Sequence, residues 1–318
     1  MLYNFLQSMD QQWLEDIGSY RFLQVLHQLE FRAFVAVVLS FFFVLVFGKP
    51  VIRWLLRRKI GDAPEFYNAD LNELMKSKAA TPTMGGVLIC GSIFITTLLL
   101  ADLRNTYVHI GLAVLVVLAT VGGFDDWLKL TSATAKERRR EGLLAWEKLL
   151  FQLGIGLIAG LFLYRIGENA ASPAAHVLVL PFQRTYEPGS LQLEASVIVL
   201  AAPMFILLAT LLIAGTSNAV NLTDGMDGLA TGTVAVASFA VMVLCYIAGQ
   251  PDAASDLMFP YVPGTKELMV VTGAMAGACL GFLWFNCMPA RVFMGDTGSL
   301  ALGGLLAYIA VAIRHEVM

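Results

Sequence analysis

Charged side chains are scarce in this chain. Lys, Arg, Asp and Glu make up 14% of its 318 residues, whereas hydrophobic residues make up 58% and the mean hydropathy is +0.71. An ordinary soluble domain carries about 25% charged residues. The sequence also lacks a long polar linker. We therefore predict that nearly all of it forms one membrane domain.

Several other features are missing, and each absence excludes a class of protein. There are no alternating ten-residue strands, which makes an outer-membrane barrel a poor fit. There is no Walker A sequence, so any phosphate must be bound by another kind of site. There is no GxSxG elbow, which would present a nucleophilic serine. The four cysteines lack CxxC spacing and the four histidines are scattered, so neither set predicts a metal site. No feature predicts a nucleic-acid partner, and residues 1–30 do not read as a cleavable signal.

Long hydrophobic runs are what the sequence does contain. A helix needs roughly 20 mostly apolar residues to cross a bilayer, and slightly fewer where flanking groups reach the interface. We predict an all-α polytopic membrane protein of about eight transmembrane helices, with an interfacial segment at 1–30 and a single transmembrane domain at 31–318. The runs are Phe31–Phe47, Gly85–Ala101, His109–Gly123, Leu149–Ile166, Ala195–Ala214, Leu229–Ala248, Leu268–Phe285 and Ser299–Ile313.

The basic residues predict the orientation of these helices. Of the 21 Lys and Arg residues, fourteen lie on the side of the loops that follow odd-numbered runs, and seven lie on the other side. The positive-inside bias places the richer side in the cytoplasm, so both termini are predicted to be outside.

Five aspartates stand at the edges of the apolar runs on the predicted cytoplasmic side. They are Asp125 and Asp126 in GGFDDW, Asp224 and Asp227 in NLTDGMDGLA, and Asp296 in VFMGDTGS. An ionised side chain at the centre of a membrane helix costs about 3 kcal/mol, less near the interface, so such residues usually mark a site. We predict that three loops distant in sequence bring these carboxylates to one site.

The local spacing suggests how each pair is presented. Neighbours on a helix point about 100° apart, so Asp125 and Asp126 are expected to reach one site from a helix end, which Gly122-Gly123 would supply. Asp224 and Asp227 would share one face of a helical turn. Capping is the alternative for both pairs. Asp125 and Asp126 would then form an acidic cap that is paired with the charge of Lys129. Asp224 and Asp227 would cap a helix starting near Leu229.

Glycines recur at helical spacing inside two of the runs. Because small residues let membrane helices approach closely, we interpret both sets as packing stripes rather than as a dinucleotide fingerprint. The sets are Gly154, Gly156 and Gly160, and Gly273, Gly277 and Gly281.

Metal-assisted phosphate chemistry suits carboxylates at a membrane surface. Mg²⁺ commonly takes one or two carboxylates and completes its shell with water and phosphate oxygens. Lys78 and Lys129 supply cations in the same loops. Glycines at Gly85, Gly86 and Gly298 allow close backbone approach or anion binding at a helix start.

Four motifs, in this order, resemble the phospho-N-acetylmuramoyl-pentapeptide transferase family: TPTMGG, GGFDDW, NAVNLTDGMDGLA and FLWFNCMPARVFMGDTGS. The resemblance extends over residues 31–314. It implies Mg²⁺-dependent transfer of phospho-MurNAc-pentapeptide from UDP-MurNAc-pentapeptide to undecaprenyl phosphate, which yields UMP and the lipid I of peptidoglycan synthesis. It also implies a bacterial plasma-membrane location, a cytoplasmic active site and a homodimer.

The resemblance assigns roles to particular residues. Asp296 matches the Mg²⁺ ligand, and Asp125 and Asp126 match the acidic pair, of which the first is assigned to deprotonating the lipid phosphate. A phosphomonoester has a second pKa near 6, so positioning or metal binding by Asp125 is equally compatible with the chemistry. The implied substrate-binding residues are Lys78, Thr83, Asn218, Asn221, Asp224, Gly225, Met226, Asp227, Asn286 and Phe293, with Phe293 stacking on uracil.

The family has ten spans and a His-rich cytoplasmic loop before the last, so two helices and that loop are expected to be missing after the eighth run. The resemblance leaves open a direct displacement or an aspartyl-phosphate intermediate. The sequence leaves two alternative functions open: transfer of a different UDP-linked amino-sugar phosphate to a polyprenyl phosphate, and ion-coupled transport. TPTMGG and FLWFN argue against the first alternative, and the absence of repeated halves argues against the second.

Overall fold

A computed structural model of the protein describes residues 1–8, 24–57, 81–134, 142–169, 173–180, 183–187 and 192–317. The described chain is mostly helical, with one two-stranded antiparallel sheet, β1 (Val177–Leu178) and β2 (Ile198–Val199). Its α-helices are α1 (Leu2–Ser8), α2 (Leu29–Arg57), α3 (Gly86–Leu100), α4 (Thr106–Thr134), α5 (Ala145–Asn169), α6 (Ala202–Thr223), α7 (Leu229–Ala248), α8 (Pro251–Leu257), α9 (Leu268–Asn286) and α10 (Asp296–Ala312).

Among the described residues, six helices are long and apolar enough to cross a membrane: α2, α4, α5, α6, α7 and α9. The apolar helices α3 and α10 are shorter, at 15 and 17 residues. Every predicted hydrophobic run corresponds to one of these eight helices. The predicted start of the fifth run at Ala195 is wrong, because Ile198–Val199 pairs in the sheet and α6 begins at Ala202. Pro203, in the first turn of α6, suits a helix start because its missing N–H has no acceptor there.

Helices α9 and α10 form the centre of the bundle. Helix α9 packs against α2, α7 and α3, whereas α10 packs against α4, α6 and α3, and α5 lies outside against α6. Nearly every side chain of α10 is buried, and α9 is the most buried of the six long spans. The peripheral helix α2 exposes large apolar side chains such as Phe34 and Val46 instead. Such a surface is suited to contact with lipid.

The glycine stripe of α9 lies against the backbone of α2. A Cβ atom at Gly281 would lie 2.7 Å from the carbonyl oxygen of Phe41, and one at Gly277 would overlap the carbonyl oxygen of Val37. The predicted packing role of Gly273, Gly277 and Gly281 is therefore confirmed.

The stripe of α5 is confirmed in part. Gly156 and Gly160 face α6, since a Cβ at Gly156 would lie 3.0 Å from the Thr210 Cα and one at Gly160 would lie 3.1 Å from the Ala209 Cβ. Gly154 has no heavy atom within 4 Å of the corresponding position, so it has no packing role in the described chain.

Substituting Ala for Gly277 should lower stability. The added methyl group cannot be accommodated without separating α9 from α2, and overpacking of this kind costs about 1–3 kcal/mol. Thermal unfolding of the detergent-solubilised protein should therefore shift to lower temperature. Gly154→Ala is the matched control, because its methyl group meets open space. Equal melting temperatures for the two variants would contradict the packing role.

A buried ion pair fastens α2 to the residues just before α9. The Arg32 guanidinium pairs with the Glu267 carboxylate and also donates to the Leu100 carbonyl, at 2.9 Å. Glu267 in turn accepts a hydrogen bond from the Asp102 amide, at 2.6 Å. Helix α1 packs nearby on α3. Half of the predicted interfacial segment, residues 9–23, lies outside the described residues.

Candidate active site

Asp125 and Asp126 lie within α4, which continues to Thr134. The expectation that this pair needs a helix end is therefore wrong. Gly122 provides the physical reason, because a Cβ atom there would overlap the carbonyl oxygen of Asp296. The start of α10 thus comes directly against α4, and the two carboxylates reach different partners from the side of a continuous helix.

Asp126 closes the N-terminus of α10. Its carboxylate, 4% exposed, accepts hydrogen bonds from the backbone N–H groups of Asp296 and Thr297, at 3.2 and 3.0 Å, and from the Thr297 hydroxyl, at 2.6 Å. The next two amides of α10 donate to the Gly295 carbonyl. The N–H groups of the first three residues of α10 therefore all have acceptors. This helix start is not an anion-binding site.

Asp125 and Asp296 share two ammonium groups. Lys148 Nζ lies 2.7 Å from Asp125 Oδ2 and 2.6 Å from Asp296 Oδ2. Lys129 Nζ lies 2.8 and 3.3 Å from the same two oxygens. Asp125, which is fully buried, also accepts a hydrogen bond from the Leu143 amide, at 2.6 Å. Because a buried carboxylate is costly unless it is paired, these cations are what allow two aspartates to lie so close together.

The three aspartates form a set of oxygen ligands that fits a magnesium ion. One carboxylate oxygen from each of Asp125, Asp126 and Asp296 lies within 4.8 Å of the other two. Hard oxygen ligands suit Mg²⁺, which needs only one or two protein carboxylates beside water and phosphate. Both oxygens of Asp126 accept hydrogen bonds from the fixed backbone of α10, whereas Oδ2 of Asp125 and of Asp296 is bound by lysine ammonium groups, whose long flexible side chains can move aside for a metal ion. Asp125 and Asp296 are therefore the better candidates for direct ligands.

Asn221 lies beside this cluster. Its Nδ2 donates to Asp296 Oδ1 at 2.8 Å and to the Ser299 hydroxyl at 2.9 Å. Asn218, one turn earlier on α6, donates instead to Gln152 Oε1, at 2.7 Å, and to the Ala214 carbonyl, at 2.8 Å. Asn221 thus orients the Asp296 carboxylate, whereas the Asn218 amide is bonded to α5 and its own helix.

Asp224 and Asp227 do not share a helical turn, contrary to expectation. Asp224 is the C-terminal cap of α6, and residues 224–228 form the loop to α7. The capping alternative is also wrong, since the N-terminal cap of α7 is Gly228 and no side chain caps it. Asp227 Oδ2 accepts a hydrogen bond from the Ala290 amide instead, at 3.1 Å. This contact ties the loop to the segment that precedes Asp296.

The carboxyl group of Asp224 has a shifted pKa. Burial, followed by the nearby charge of Asp296, raises the pKa of its carboxyl group to about 7. Protonated and ionised forms therefore coexist at neutral pH. In the protonated form this side chain can donate a hydrogen bond as well as accept one.

Asn286 is almost fully buried, and both ends of its amide are hydrogen-bonded. Its oxygen accepts from the Gly228 amide, at 3.1 Å, and the Thr231 hydroxyl, at 2.8 Å, whereas its nitrogen donates to the Val292 carbonyl, at 3.0 Å. These bonds hold the 224–228 loop and the 287–295 segment together.

Four further predicted residues, Phe293, Thr83, Gly225 and Met226, line the same end of the bundle. Phe293 and Thr83 are partly buried, and the Phe293 amide donates to the Pro82 carbonyl at 2.8 Å. Gly225 and Met226 are exposed on the loop after α6, Met226 by 69%. Lys78 lies outside the described residues.

The glycines at the start of α3 serve close approach rather than anion binding. The amides of Gly85 and Gly86 donate to the carbonyls of Phe293 and Met294, at 2.9 and 2.8 Å. A Cβ atom at Gly86 would overlap the backbone of Gly298. Of the two uses that the sequence allowed, the structure therefore supports close approach of the backbones.

The sequence reasoning missed two members of the site, Lys148 and Thr297. Lys148 was counted only as a basic loop residue, yet it is the closest cation to both Asp125 and Asp296. A usable signal was present, because Lys148 and Gln152 are polar residues at i, i+4 in the first half of a largely apolar helix. Thr297 was visible only as the residue after Asp296.

Comparison with known proteins agrees with this geometry. Residues 108–314 match the sequence model of glycosyl transferase family 4, and residues 78–90 match signature 1 of the phospho-N-acetylmuramoyl-pentapeptide-transferases. A phospho-N-acetylmuramoyl-pentapeptide-transferase of Thermodesulfovibrio yellowstonii is 38% identical over 318 residues, which cover all of this chain and 80% of that protein.

Proposed function

The chain belongs to the phospho-N-acetylmuramoyl-pentapeptide-transferase family, and we propose that it transfers phospho-MurNAc-pentapeptide from UDP-MurNAc-pentapeptide to undecaprenyl phosphate in peptidoglycan synthesis. One observation in the structure carries the proposal: two carboxylates, Asp125 and Asp296, share two ammonium groups beside a third carboxylate, Asp126. Phosphoryl transfer needs positioned charge of this kind more than covalent help from the protein.

In the proposed reaction, a phosphate oxygen of undecaprenyl phosphate attacks the phosphorus that carries MurNAc. A new P–O bond joins lipid and sugar phosphates, the P–O bond to the uridine-bearing phosphate breaks, and UMP leaves with that electron pair. A phosphomonoester with a second pKa near 6 is largely dianionic at neutral pH. A strong general base is therefore unnecessary, and the site has to position and neutralise charge.

The residues divide this work as follows. Lys148 and Lys129 hold Asp125 and Asp296 together and present positive charge to the reacting phosphates. Asp126 fixes the start of α10 and hence the position of Asp296. Asp296 and Asp125 would hold Mg²⁺, which neutralises charge on phosphate oxygens when bound.

The neighbouring loops would bind the uridine part of the donor. Asn286 joins the loop 224–228 to the segment 287–295. Together the two segments present a continuous surface next to Asp296. The residues proposed to contact the donor are Lys78, Thr83, Asn218, Asn221, Asp224, Gly225, Met226, Asp227, Asn286 and Phe293.

The proposed site opens on the cytoplasmic face of the bacterial plasma membrane, with the N-terminus outside. The excess of Lys and Arg in the loops on that side supports this orientation. Phe124, Trp127 and Trp146 are exposed near the aspartates, as expected for aromatic side chains at the membrane interface where a lipid phosphate is presented. A homodimer is the proposed assembly.

The proposed activity is tested with the full chain in detergent, Mg²⁺, undecaprenyl phosphate and one of two donors. UMP release should occur with UDP-MurNAc-pentapeptide and fall to background with UDP-GlcNAc. Release with UDP-GlcNAc alone would favour transfer of a different amino-sugar phosphate. Release with neither donor, from protein with a cooperative unfolding transition, would overturn the proposal.

A further inference from the structure

Gln152 is a fully buried polar residue in the membrane-spanning helix α5. Its Oε1 accepts a hydrogen bond from Asn218, at 2.7 Å, and its Nε2 donates to the Ser217 hydroxyl, at 3.1 Å. The Ser217 hydroxyl donates in turn to the Leu300 carbonyl, at 2.9 Å. One amide thus connects α5 to α6 and, through α6, to α10.

Each of these three helices carries a member of the aspartate site one turn away. Lys148 precedes Gln152 by four residues, Asn221 follows Ser217 by four, and Asp296 precedes Leu300 by four. Residues four apart lie on the same face of a helix, one above the other. The Gln152 network is therefore a layer directly beneath the layer in which Lys148, Asn221 and Asp296 meet.

Farther along the same contact, α5 and α6 meet through Gly156 and Gly160 and through the rings of Tyr164 and Phe205, whose centroids are 5.8 Å apart. Gly156 and Gly160 bring the two helices close together without directional interactions. Such an interface lets helices approach but specifies their rotation and axial position weakly. A polar group in hydrocarbon is expensive unless it is satisfied, so a satisfied amide favours one arrangement over its neighbours.

We propose that Gln152 is a positioning residue for the transfer reaction and that it acts through Lys148. Its bonds to Asn218 and Ser217 fix the rotation of α5, and this fixes the Lys148 ammonium between Asp125 and Asp296. The inference rests on the role assigned to Lys148 above. A small rotation of α5 would move that ammonium away from one carboxylate, because it bridges two oxygens at 2.7 and 2.6 Å.

The test is a double-mutant cycle on UMP release by the full chain. Gln152→Met keeps the length of the side chain but makes none of its hydrogen bonds. In the wild-type background it should lower kcat about tenfold, because misplacing one charged group slows the chemical step. The donor KM should change less than kcat, although Asn218 loses one of its two hydrogen-bond acceptors. In the Lys148→Ala background the same substitution should lower kcat by less than about twofold, because the ammonium group that Gln152 positions is absent.

Two further variants complete the test. Gly154→Ala, on the same helix but facing open space, should leave kcat unchanged. Ser217→Ala breaks the same network at its link to Leu300 and replaces Gln152→Met if that variant fails to fold. Equal losses in both backgrounds would mean that Gln152 contributes only to folding, and would overturn its positioning role. Full activity of Lys148→Ala would instead refute the assignment of Lys148, and absence of UMP release by the folded wild-type chain would refute the proposed function.

Discussion

Replacing Asp296 by Asn should reduce UMP release by about a thousandfold or more, because the site loses the charge on which its other members converge. Asn keeps the shape of the side chain and an oxygen that can accept the Asn221 hydrogen bond. It removes the negative charge that pairs with Lys148 and Lys129. The loss should therefore be electrostatic, with the fold intact.

Binding of Mn²⁺ as a spectroscopic substitute for Mg²⁺ gives an independent readout. Weaker Mn²⁺ binding by Asp296→Asn would support a direct ligand, and unchanged thermal unfolding would exclude a general loss of structure. Asp102→Asn is the matched control, since Asp102 lies in the loop after α3, at the opposite end of that helix from Gly86, and bonds to Asn4. Full activity and unchanged Mg²⁺ dependence in Asp296→Asn would refute the metal assignment.

The fold was largely predictable from the sequence, because membrane helices depend on local composition. Eight apolar runs became eight helices, and the glycine stripe of α9 packs as expected against α2. The error at Ala195 arose where apolar residues form a short strand pair outside the helix. Hydropathy cannot separate these two outcomes, since Ile198 and Val199 are as apolar as their neighbours in α6.

The three clustered aspartates of the site were predictable from the sequence, but their individual contacts were not. The clustering of Asp125, Asp126 and Asp296 followed from their position at one end of the bundle. The different contacts of Asp125 and Asp126 could not be predicted from GGFDDW, because they depend on how closely α10 approaches Gly122. A tertiary contact of this kind has no local signal, and it converts Asp126 into a cap for a helix 170 residues away.

The same limit explains why Lys148 escaped notice. Its role depends on α5 being rotated so that one ammonium meets carboxylates from both α4 and α10. Lys148 is unusual in the sequence because charged residues are scarce in an apolar helix. Its partners can be identified only from the packing of the three helices. The basic residues counted for membrane orientation therefore include members of the site itself.

Replacing Lys148 by Ala should lower kcat by about a hundredfold, because Asp125 and Asp296 are left sharing a single cation. Lys129 is the comparison, since its side chain is 36% exposed and lies farther from Asp296, at 3.3 Å. Water screens an exposed charge, so Lys129→Ala should cost less than Lys148→Ala. The reverse order would contradict the geometry on which the proposed charge distribution depends.

Mg²⁺ dependence should separate the electrostatic role of Lys148 from a structural one. Removing a positive charge beside two carboxylates strengthens cation binding, so Lys148→Ala should need about three times less Mg²⁺ for half-maximal activity even as kcat falls. Asp296→Asn should need more, because it loses a negative charge at the same place. Lys148→Arg keeps the charge but replaces a compact ammonium with a planar guanidinium. Its Mg²⁺ requirement should therefore stay closer to the wild-type value than its kcat does. A uniform loss with no change in Mg²⁺ requirement would show that Lys148 only supports packing, since lost packing does not alter the charge that the metal meets.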